Sequence, residues 1–313
     1  VYKRQGLSYL ELVVVAEELG RAVAPIPFSS SVYLATEAIL ANGSVEQKEK
    51  WLPKLASGEV VGTFALAEGS GRPSADSLNT RFEAGKLTGK KLPVPDGNIA
   101  DFAVIVTKSD TGDGASLALV ELNQEAVIKS SVRTLDFSRG HASIEFKGAE
   151  AEIVGADGSG WSAMESLMDR AAVMFAWEQV GIADAALEQA RDYAMGRYAF
   201  GRAIASYQAI KHKLADMYVK NTLARSNCYY GAWALNSDSA ELALAAATAR
   251  VGAIQASVNA AQENVQTHGG MGFTWEFDCQ FFYRRAKLLS VNIGSEGFWQ
   301  DKLITAYEQS NVA

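Results

Sequence analysis

Along the first sixty positions the hydrophobic residues recur with the period of a helix. Leu12, Val15, Ala16 and Leu19 fall at i, i+3, i+4 and i+7, and Gly20 follows where a left-handed cap would end the turn. Further helical pattern surrounds Val32 to Leu40 and Ser44 to Leu55, with Trp51, Leu52 and Leu55 facing inward and Gly58 closing the region. From Val61 to about Val154 the period changes. Short stretches such as TRFE, FAVIVT, LALVEL and ASIEF are rich in Val, Ile, Phe and Thr, and turn clusters separate them, PDGN at 95 to 98 and TGDG at 111 to 114 among them. This predicts a compact antiparallel β domain.

After GADGSG at 155 to 160 the helical pattern resumes almost to the end of the chain. Ser162 with Glu165, and Asp238 with Glu241, stand at capping-box spacing. Ile210, Leu214, Met217 and Ala224 mark the inward stripe of a long helix, and the simplest packing is an antiparallel four-helix bundle. The predicted fold class is α+β, mainly α. It has a partial N-terminal helical domain over 1–60, a middle antiparallel β domain over 61–155 and a C-terminal four-helix bundle over 156–313.

Composition narrows the function classes. With 29 Lys and Arg against 36 Asp and Glu, the net charge of -7 offers no general attraction to nucleic acid or to anionic membranes. No apolar run is long enough to span a bilayer. The only two cysteines, Cys228 and Cys279, have no redox or metal spacing, so a soluble protein of a reducing compartment, the cytoplasm, is expected. Three scattered histidines without acidic or cysteine partners at ligand spacing make no metal site: His141 is expected in a loop before a strand and His212 on a helix surface. Residue 1 is Val and helical pattern is under way by Leu10, as expected of a fragment of a longer reading frame.

Two long motifs carry a family resemblance. ARDYAMGRYAFGRAIASYQAIKHKLADMY, residues 190 to 218, and QTHGGMGFTWEFDCQFFYRRAK, residues 266 to 287, resemble bundle segments of the acyl-CoA dehydrogenases. AEELGRAVAPIPF and QKEKWLPKLASGE resemble the back half of that family's N-terminal helical domain, whose front half is not in this chain. The resemblance implies FAD as cofactor and an acyl-CoA thioester as substrate, dehydrogenated between its α and β carbons to the trans-2-enoyl-CoA. It also implies a homo- or hetero-tetramer and an electron-transfer flavoprotein as acceptor. Arg197 corresponds to the arginine that meets the FAD diphosphate, for which a guanidinium fork is well shaped. Phe200 would wall the cofactor and Gln208 would contact its adenosine half, with Tyr207 before it where a histidine often stands. Gln266, Gly269 and Gly270 would cradle the diphosphate of a neighbouring subunit, glycine allowing close backbone approach. His268 would be a backbone-side neighbour of FAD, and Asp169 survives from the substrate-contacting stretch.

The catalytic residue is unknown from the sequence, because both positions that hold the family's carboxylate base are replaced. The usual Glu-Gly-Thr turn becomes Ile293-Gly294-Ser295, and the alternative glutamate on the first bundle helix becomes Ala171, with Ala172 where an arginine is common. Among the remaining acids, Glu178, two turns beyond Ala171 on the same face, and Glu296, three past Ile293, are weighed as base and neither is well placed. The flavin-ring side departs as well. Ala67 and Gly69 replace a threonine and a proline, and Leu92-Pro93-Val94 stands in place of a Trp-Ile-Thr segment. Three readings stay open: an active dehydrogenase with an unrecognised base, a catalytically silent FAD-binding subunit of a heteromeric dehydrogenase, and a flavin-free acyl-CoA-binding or structural protein. The main-chain N–H near Ile293 is expected to remain available to a thioester carbonyl.

Overall fold

A computed structural model describes residues 6–109 and 114–310, so most of the turn expected at TGDG lies outside the described residues. The chain divides into two compact units. One runs from Pro25 to Met168, and the other combines the segment up to Ala24 with Asp169 onward. Helices precede and follow a sheet, as the periodicities predict.

In the first unit, a π-helical segment Ser29–Thr36 and helices α2 (Glu37–Asn42) and α3 (Val45–Ser57) precede the sheet. α3 starts with a complete capping box between Ser44 and Gln47 and ends on Gly58 in the left-handed conformation. Seven strands follow: β1 (Gly62–Ala65), β2 (Arg81–Glu83), β3 (Lys86–Pro95), β4 (Phe102–Lys108), β5 (Ala115–Glu121), β6 (Val127–Val132) and β7 (His141–Val154). His141 thus opens a strand and is buried, not placed in a loop before it. The sheet is mixed and not purely antiparallel, since β1 and β2 both run parallel to β4. Pairing of β4 with β5, and of β5 with β7, closes the strand order on itself. Six consecutive residues of β4 are buried, from Phe102 to Thr107, so both faces of that strand are covered. Its unbroken apolar run therefore has a physical reason, as does its parallel neighbour.

The second unit is built from α1 (Tyr9–Arg21), α4 (Gly160–Gly196), α5 (Gln208–Asn236), α6 (Leu242–His268), α7 (Cys279–Leu289) and α8 (Glu296–Ser310), with the first nine residues of α4 counted in the other unit. Small residues bring α4, α5 and α6 close together. Gly231 of α5 faces Val173 and Ala249, and α6 buries Ala245, Ala249, Ala253, Ala256 and Ala260 toward its neighbours. α7 and α8 both pack on α6. Neither capping pair proposed for these helices forms. α4 has already begun at Gly160, and the Ser162 hydroxyl donates to Ser159 O. Before α6 the Ser239 hydroxyl accepts from Glu241 N, while Asp238 pairs with Arg170 and Glu241 accepts from the Tyr230 hydroxyl.

α1 closes this bundle through a reciprocal glycine contact. Gly20 is not the helix cap; it lies inside α1 and is buried. A Cβ there would stand 1.9 Å from Glu178 O, and one on Gly181 would stand 2.0 Å from Glu17 O. The two backbones touch, so only glycine fits at either point. Beside them Arg225 donates to Glu17 at 2.6 Å and to Asp184 at 2.5 Å, and Arg21 reaches Glu188 at 2.7 Å. No helix among the described residues is long and apolar enough to cross a membrane.

Gly181→Ala is expected to force α1 and α4 apart and to destabilise the second unit by at least ~2 kcal/mol, the scale of overpacking in a close-packed core. Thermal denaturation followed by circular dichroism measures this. A melting temperature unchanged from wild type would show that the contact yields without cost.

Candidate functional site

At one end of the bundle, α4 stops at Gly196 and the chain makes a short hairpin of β8 (Tyr198–Ala199) and β9 (Arg202–Ala203) before α5 begins at Gln208. The hairpin turn has Phe200 at φ 53° and Gly201 at φ 78°. Positive φ at both central residues matches the right-handed twist of a two-residue hairpin, yet Phe200 carries a Cβ there. Its side chain is 97% exposed, so the strain is not repaid by burial within the chain. Arg197 immediately precedes the hairpin and is exposed. Its backbone is fixed on both sides, N–H to Tyr193 O at 2.8 Å and carbonyl to Ile204 N at 2.8 Å. Tyr207 braces the loop, its hydroxyl donating to Ala199 O at 3.0 Å and its ring lying 4.0 Å under the Arg202 guanidinium. Gln208, the first residue of α5, is exposed.

The other sequence-singled stretch meets this end through an aromatic stack. His268, the last residue of α6, stacks on Tyr193 of α4 at 4.0 Å, and Phe277 stands edge-on to both. Tyr193 is one turn before Arg197, so the Arg197 hairpin and the chain after α6 share one end of the bundle. Burial lowers the pKa of His268, while its Nδ1 lies 2.9 Å from Asn264 O. The imidazole is occupied in holding the two helix ends together. Gln266 is exposed. Gly269 takes φ 60° and ψ -137°, a conformation open essentially to glycine alone, and no atom lies within 4 Å of a Cβ built on Gly269 or Gly270. A guanidinium, two carboxamides and bare, uncrowded backbone form a donor set whose chemistry suits a diphosphate.

Toward the interior of the bundle the picture is different. Ala171 is fully buried on α4. Glu178, 3% exposed, has the fully buried Arg285 at 3.5 Å, and Arg285 also donates to Ala24 O at 3.2 Å. A second fully buried arginine, Arg250 of α6, donates to Gln179 Oε1, to Leu289 O and, at 2.8 Å, to Asn292 Oδ1. Asn292 Oδ1 in turn accepts from Ile293 N at 3.0 Å. The Ile293 N–H is therefore engaged by the side chain next to it. Glu296 accepts from Gln255 at 2.8 Å and from Gln300 at 3.0 Å. Asp169 pairs with Lys302 of α8 at 2.5 Å. Among the described residues no group of three or more His, Cys, Asp or Glu could hold a metal ion.

Family models for the acyl-CoA dehydrogenase C-terminal domain and N-terminal domain match residues 158–304 and 2–59. An acyl-CoA dehydrogenase of Bacillus subtilis is 32% identical over 308 residues, 94% of this chain and 81% of the relative. The chain belongs to the acyl-CoA dehydrogenase family. Butyryl-CoA dehydrogenase from Megasphaera elsdenii superposes with a TM-score of 0.90 at 25% identity, over 96% of this chain and 82% of that one. The ChsE4-ChsE5 complex from Mycobacterium tuberculosis gives a TM-score of 0.87 at 25% identity, over 97% and 82%.

The interior of this bundle carries two buried arginines with partners from several segments of the chain. Sequence reasoning missed Arg250, Arg285, Gln179 and Asn292: Arg250 joins Gln179 to Asn292, the residue before Ile293, and Arg285 pairs with Glu178. The signal was present: Arg250 stands alone in the otherwise uncharged stretch AAATARVGAIQAS. In the first unit, the stretches around Ala67 and Leu92 are knitted to each other. Leu92 N donates to Ala67 O at 2.8 Å, and the buried Lys91 donates to Leu66 O at 3.0 Å and to Glu68 at 2.8 Å. Glu68 also accepts from Asn79 N and Thr80 N. Burial opposes ionisation of Glu68, but the hydrogen bond and charge of Lys91, with Thr80 and Asn79, outweigh it and bring the carboxyl down to about 2. Val94 is fully buried, so it presents no surface to a ligand.

Arg285→Met is expected to leave Glu178 as an unpaired buried acid and to cost about 3–5 kcal/mol, whereas Arg285→Met with Glu178→Met regains most of that loss. Urea denaturation of the three proteins measures it. Glu68→Gln strands Lys91 and should cost about 3 kcal/mol at neutral pH on the same scale. The Glu68 carboxyl is lowered from 4.5, so its contribution is complete above about 4.5 and is lost as the pH falls from there toward 2. Unfolding midpoints measured between pH 2 and 7 should converge for wild type and Glu68→Gln at the acid end; a constant difference would refute the assignment.

Proposed function

We propose that this chain is the FAD-gripping, base-lacking subunit of a heteromeric acyl-CoA dehydrogenase. The single observation that carries this reading is the engagement of Glu178 by Arg285, in a chain with alanine and isoleucine at both family base positions. A carboxylate that served as base would have to leave a buried ion pair, at a cost of several kcal/mol. Arg250 and Asn292 lock the adjoining turn, so Glu296 has no path to the vacated position without rebuilding it.

The exposed end of the bundle has the opposite character and supports the cofactor assignment. Arg197 would hold the diphosphate by its guanidinium fork, and Gln208 the adenosine half, with Phe200 as an apolar wall. Gln266, Gly269 and Gly270 would present carboxamide and backbone donors to the diphosphate across a subunit boundary. Bound FAD would supply the acceptor for the β-hydride of an acyl-CoA thioester as the α-proton leaves to a carboxylate, giving the trans-2-enoyl-CoA. On this reading the carboxylate belongs to the other subunit. Asp169, held by Lys302, would lie along the acyl-CoA path. The assembly would be a hetero-tetramer in the cytoplasm, reoxidised by an electron-transfer flavoprotein.

The test is co-expression with a base-bearing acyl-CoA dehydrogenase chain from the same genome, followed by measurement of FAD content and of turnover on a panel of acyl-CoA thioesters. Turnover is expected from the co-expressed pair and not from this chain alone. Arg197→Ala should weaken FAD retention about 10- to 100-fold, the value of one charge-assisted contact. Full FAD occupancy and turnover by the chain on its own would overturn the reading in favour of an active homomer; absence of flavin from both preparations would favour a flavin-free protein.

A further inference from the structure

α4 and α6 end together, joined by paired residues. Gln189 and Tyr193 lie one turn apart on α4, as do Asn264 and His268 on α6. Asn264 Nδ2 donates to Gln189 Oε1 at 2.7 Å, and one turn further along each helix the Tyr193 and His268 rings stack at 4.0 Å with 27° between their planes. A polar rung is followed by an aromatic one. The next step along this line of α4 is Arg197, whose N–H still makes the helical bond to Tyr193 O. Arg197 therefore leaves α4 on the side that carries Gln189 and Tyr193, the side turned to α6. On α6 the residue after His268 is Gly269. The guanidinium and the glycine turn both start within one turn of the stacked rings.

The same rings hold the far end of that turn. Phe277 stands edge-on to Tyr193 at 5.7 Å and to His268 at 5.5 Å, so the segment from Gly269 to Glu276 begins and ends on one aromatic cluster. Between those points Gly272 lies against α6, where a Cβ would stand 2.5 Å from Val265 O. The turn cannot shift without disturbing the rings. His268 itself is poorly placed to meet a phosphate. It is buried, burial lowers its pKa from 6.5 so that it carries no charge at neutral pH, and its Nδ1 is engaged with Asn264 O. What it offers the site is a flat surface in a fixed place.

We infer that Tyr193 and His268 are positioning residues whose stack holds Arg197 and the Gly269–Gly270 turn at a fixed separation, so that one diphosphate is met by both at once. The inference rests on the flavin reading above and adds to it two side chains that act through others. Without the stack each arm keeps its own donors. The ends of α4 and α6 are then free to move apart, and a ligand held by one arm engages the other only at an ordering cost.

The co-expressed assembly, freed of flavin and titrated with FAD while flavin fluorescence is read, tests it. Tyr193→Ala should weaken FAD binding about tenfold, the worth of one aromatic stack, and Tyr193→Phe, which keeps the ring, should stay within about twofold of wild type. His268→Ala, made from the opposite helix, should match Tyr193→Ala. Adding Tyr193→Ala to Arg197→Ala should deepen the loss by no more than about threefold, because a ligand already limited to one arm loses little from misalignment. Far-UV circular dichroism of the flavin-free proteins should be unchanged throughout. Three results would each overturn the inference and leave the flavin reading standing: full multiplication of the two losses, a Tyr193→Phe protein as weak as Tyr193→Ala, or wild-type affinity in Tyr193→Ala and His268→Ala. Wild-type affinity in Arg197→Ala would overturn the flavin reading and this inference with it.

Discussion

Arg250 and Arg285 bring two positive charges into the interior of the bundle, where each would cost several kcal/mol unless its donors met acceptors. Those acceptors come from separate segments of the chain: Glu178 and Gln179 on α4, Ala24 O after α1, Leu289 O at the end of α7, and Asn292 in the turn before α8. Because a buried guanidinium tolerates little misplacement, the arrangement fixes where these segments lie. The glycine contact between α1 and α4 falls at the same place, with Glu178 itself supplying the backbone oxygen that Gly20 approaches. Glu178 is thus committed twice, by its main chain to a helix crossing and by its side chain to an ion pair. An acid so committed is a poor proton acceptor for a substrate, since removing its charge would unbalance the surrounding cluster.

Much of this was legible in the sequence, and the reasons why the rest was not are specific. The helices could be located because their apolar stripes repeat every three to four residues, and the Ser44–Gln47 box and Gly58 mark true ends of α3 because those signals are local. Gly20 was misleading for a related reason. A glycine after a helical run ordinarily signals a cap, but its role here is set by Glu178, 158 positions away, and nothing nearby in the chain records that partner. Ser162 had the right spacing for a cap and lost it because α4 starts earlier, at Gly160, where a Cβ would stand 2.3 Å from the Ser116 backbone. The parallel pairing of β1 with β4 leaves only an unbroken apolar run as its trace. At the candidate site, motif context picked out the Arg197 hairpin and the Gly269–Gly270 turn as distinct features, whereas the cluster around Arg250 and Arg285 left no motif to read. Two arginines in apolar stripes were the available clue.

The polar groups of this chain divide into two populations with different consequences. In the bundle interior and around Lys91 the main charged groups meet partners within the chain, Glu178 with Arg285, the terminal nitrogens of Arg250 with Gln179, Leu289 and Asn292, and Lys91 with Glu68, while Arg250 Nε and Trp299 Nε1 are buried without a hydrogen bond. Those at the end of the bundle are exposed and make few contacts of their own, and the same end displays Phe200, Phe273 and Trp275, at 97%, 83% and 69% exposure. Large aromatic surface beside a guanidinium, carboxamides and uncrowded glycines is costly to leave in water and well suited to covering a nucleotide or another subunit.

A free-energy argument connects these two populations. The interior ion pairs Glu178–Arg285 and Glu68–Lys91 are completed within the chain, so those charges need no ligand to compensate them. The strained Phe200 turn and the exposed Tyr218, Tyr229 and Trp233 of α5 gain nothing from the isolated chain, because they face solvent. Their persistence has a physical return only if something outside the chain covers them. Stability is therefore drawn from contacts within the chain, while the exposed end of the bundle is left to contacts from outside it.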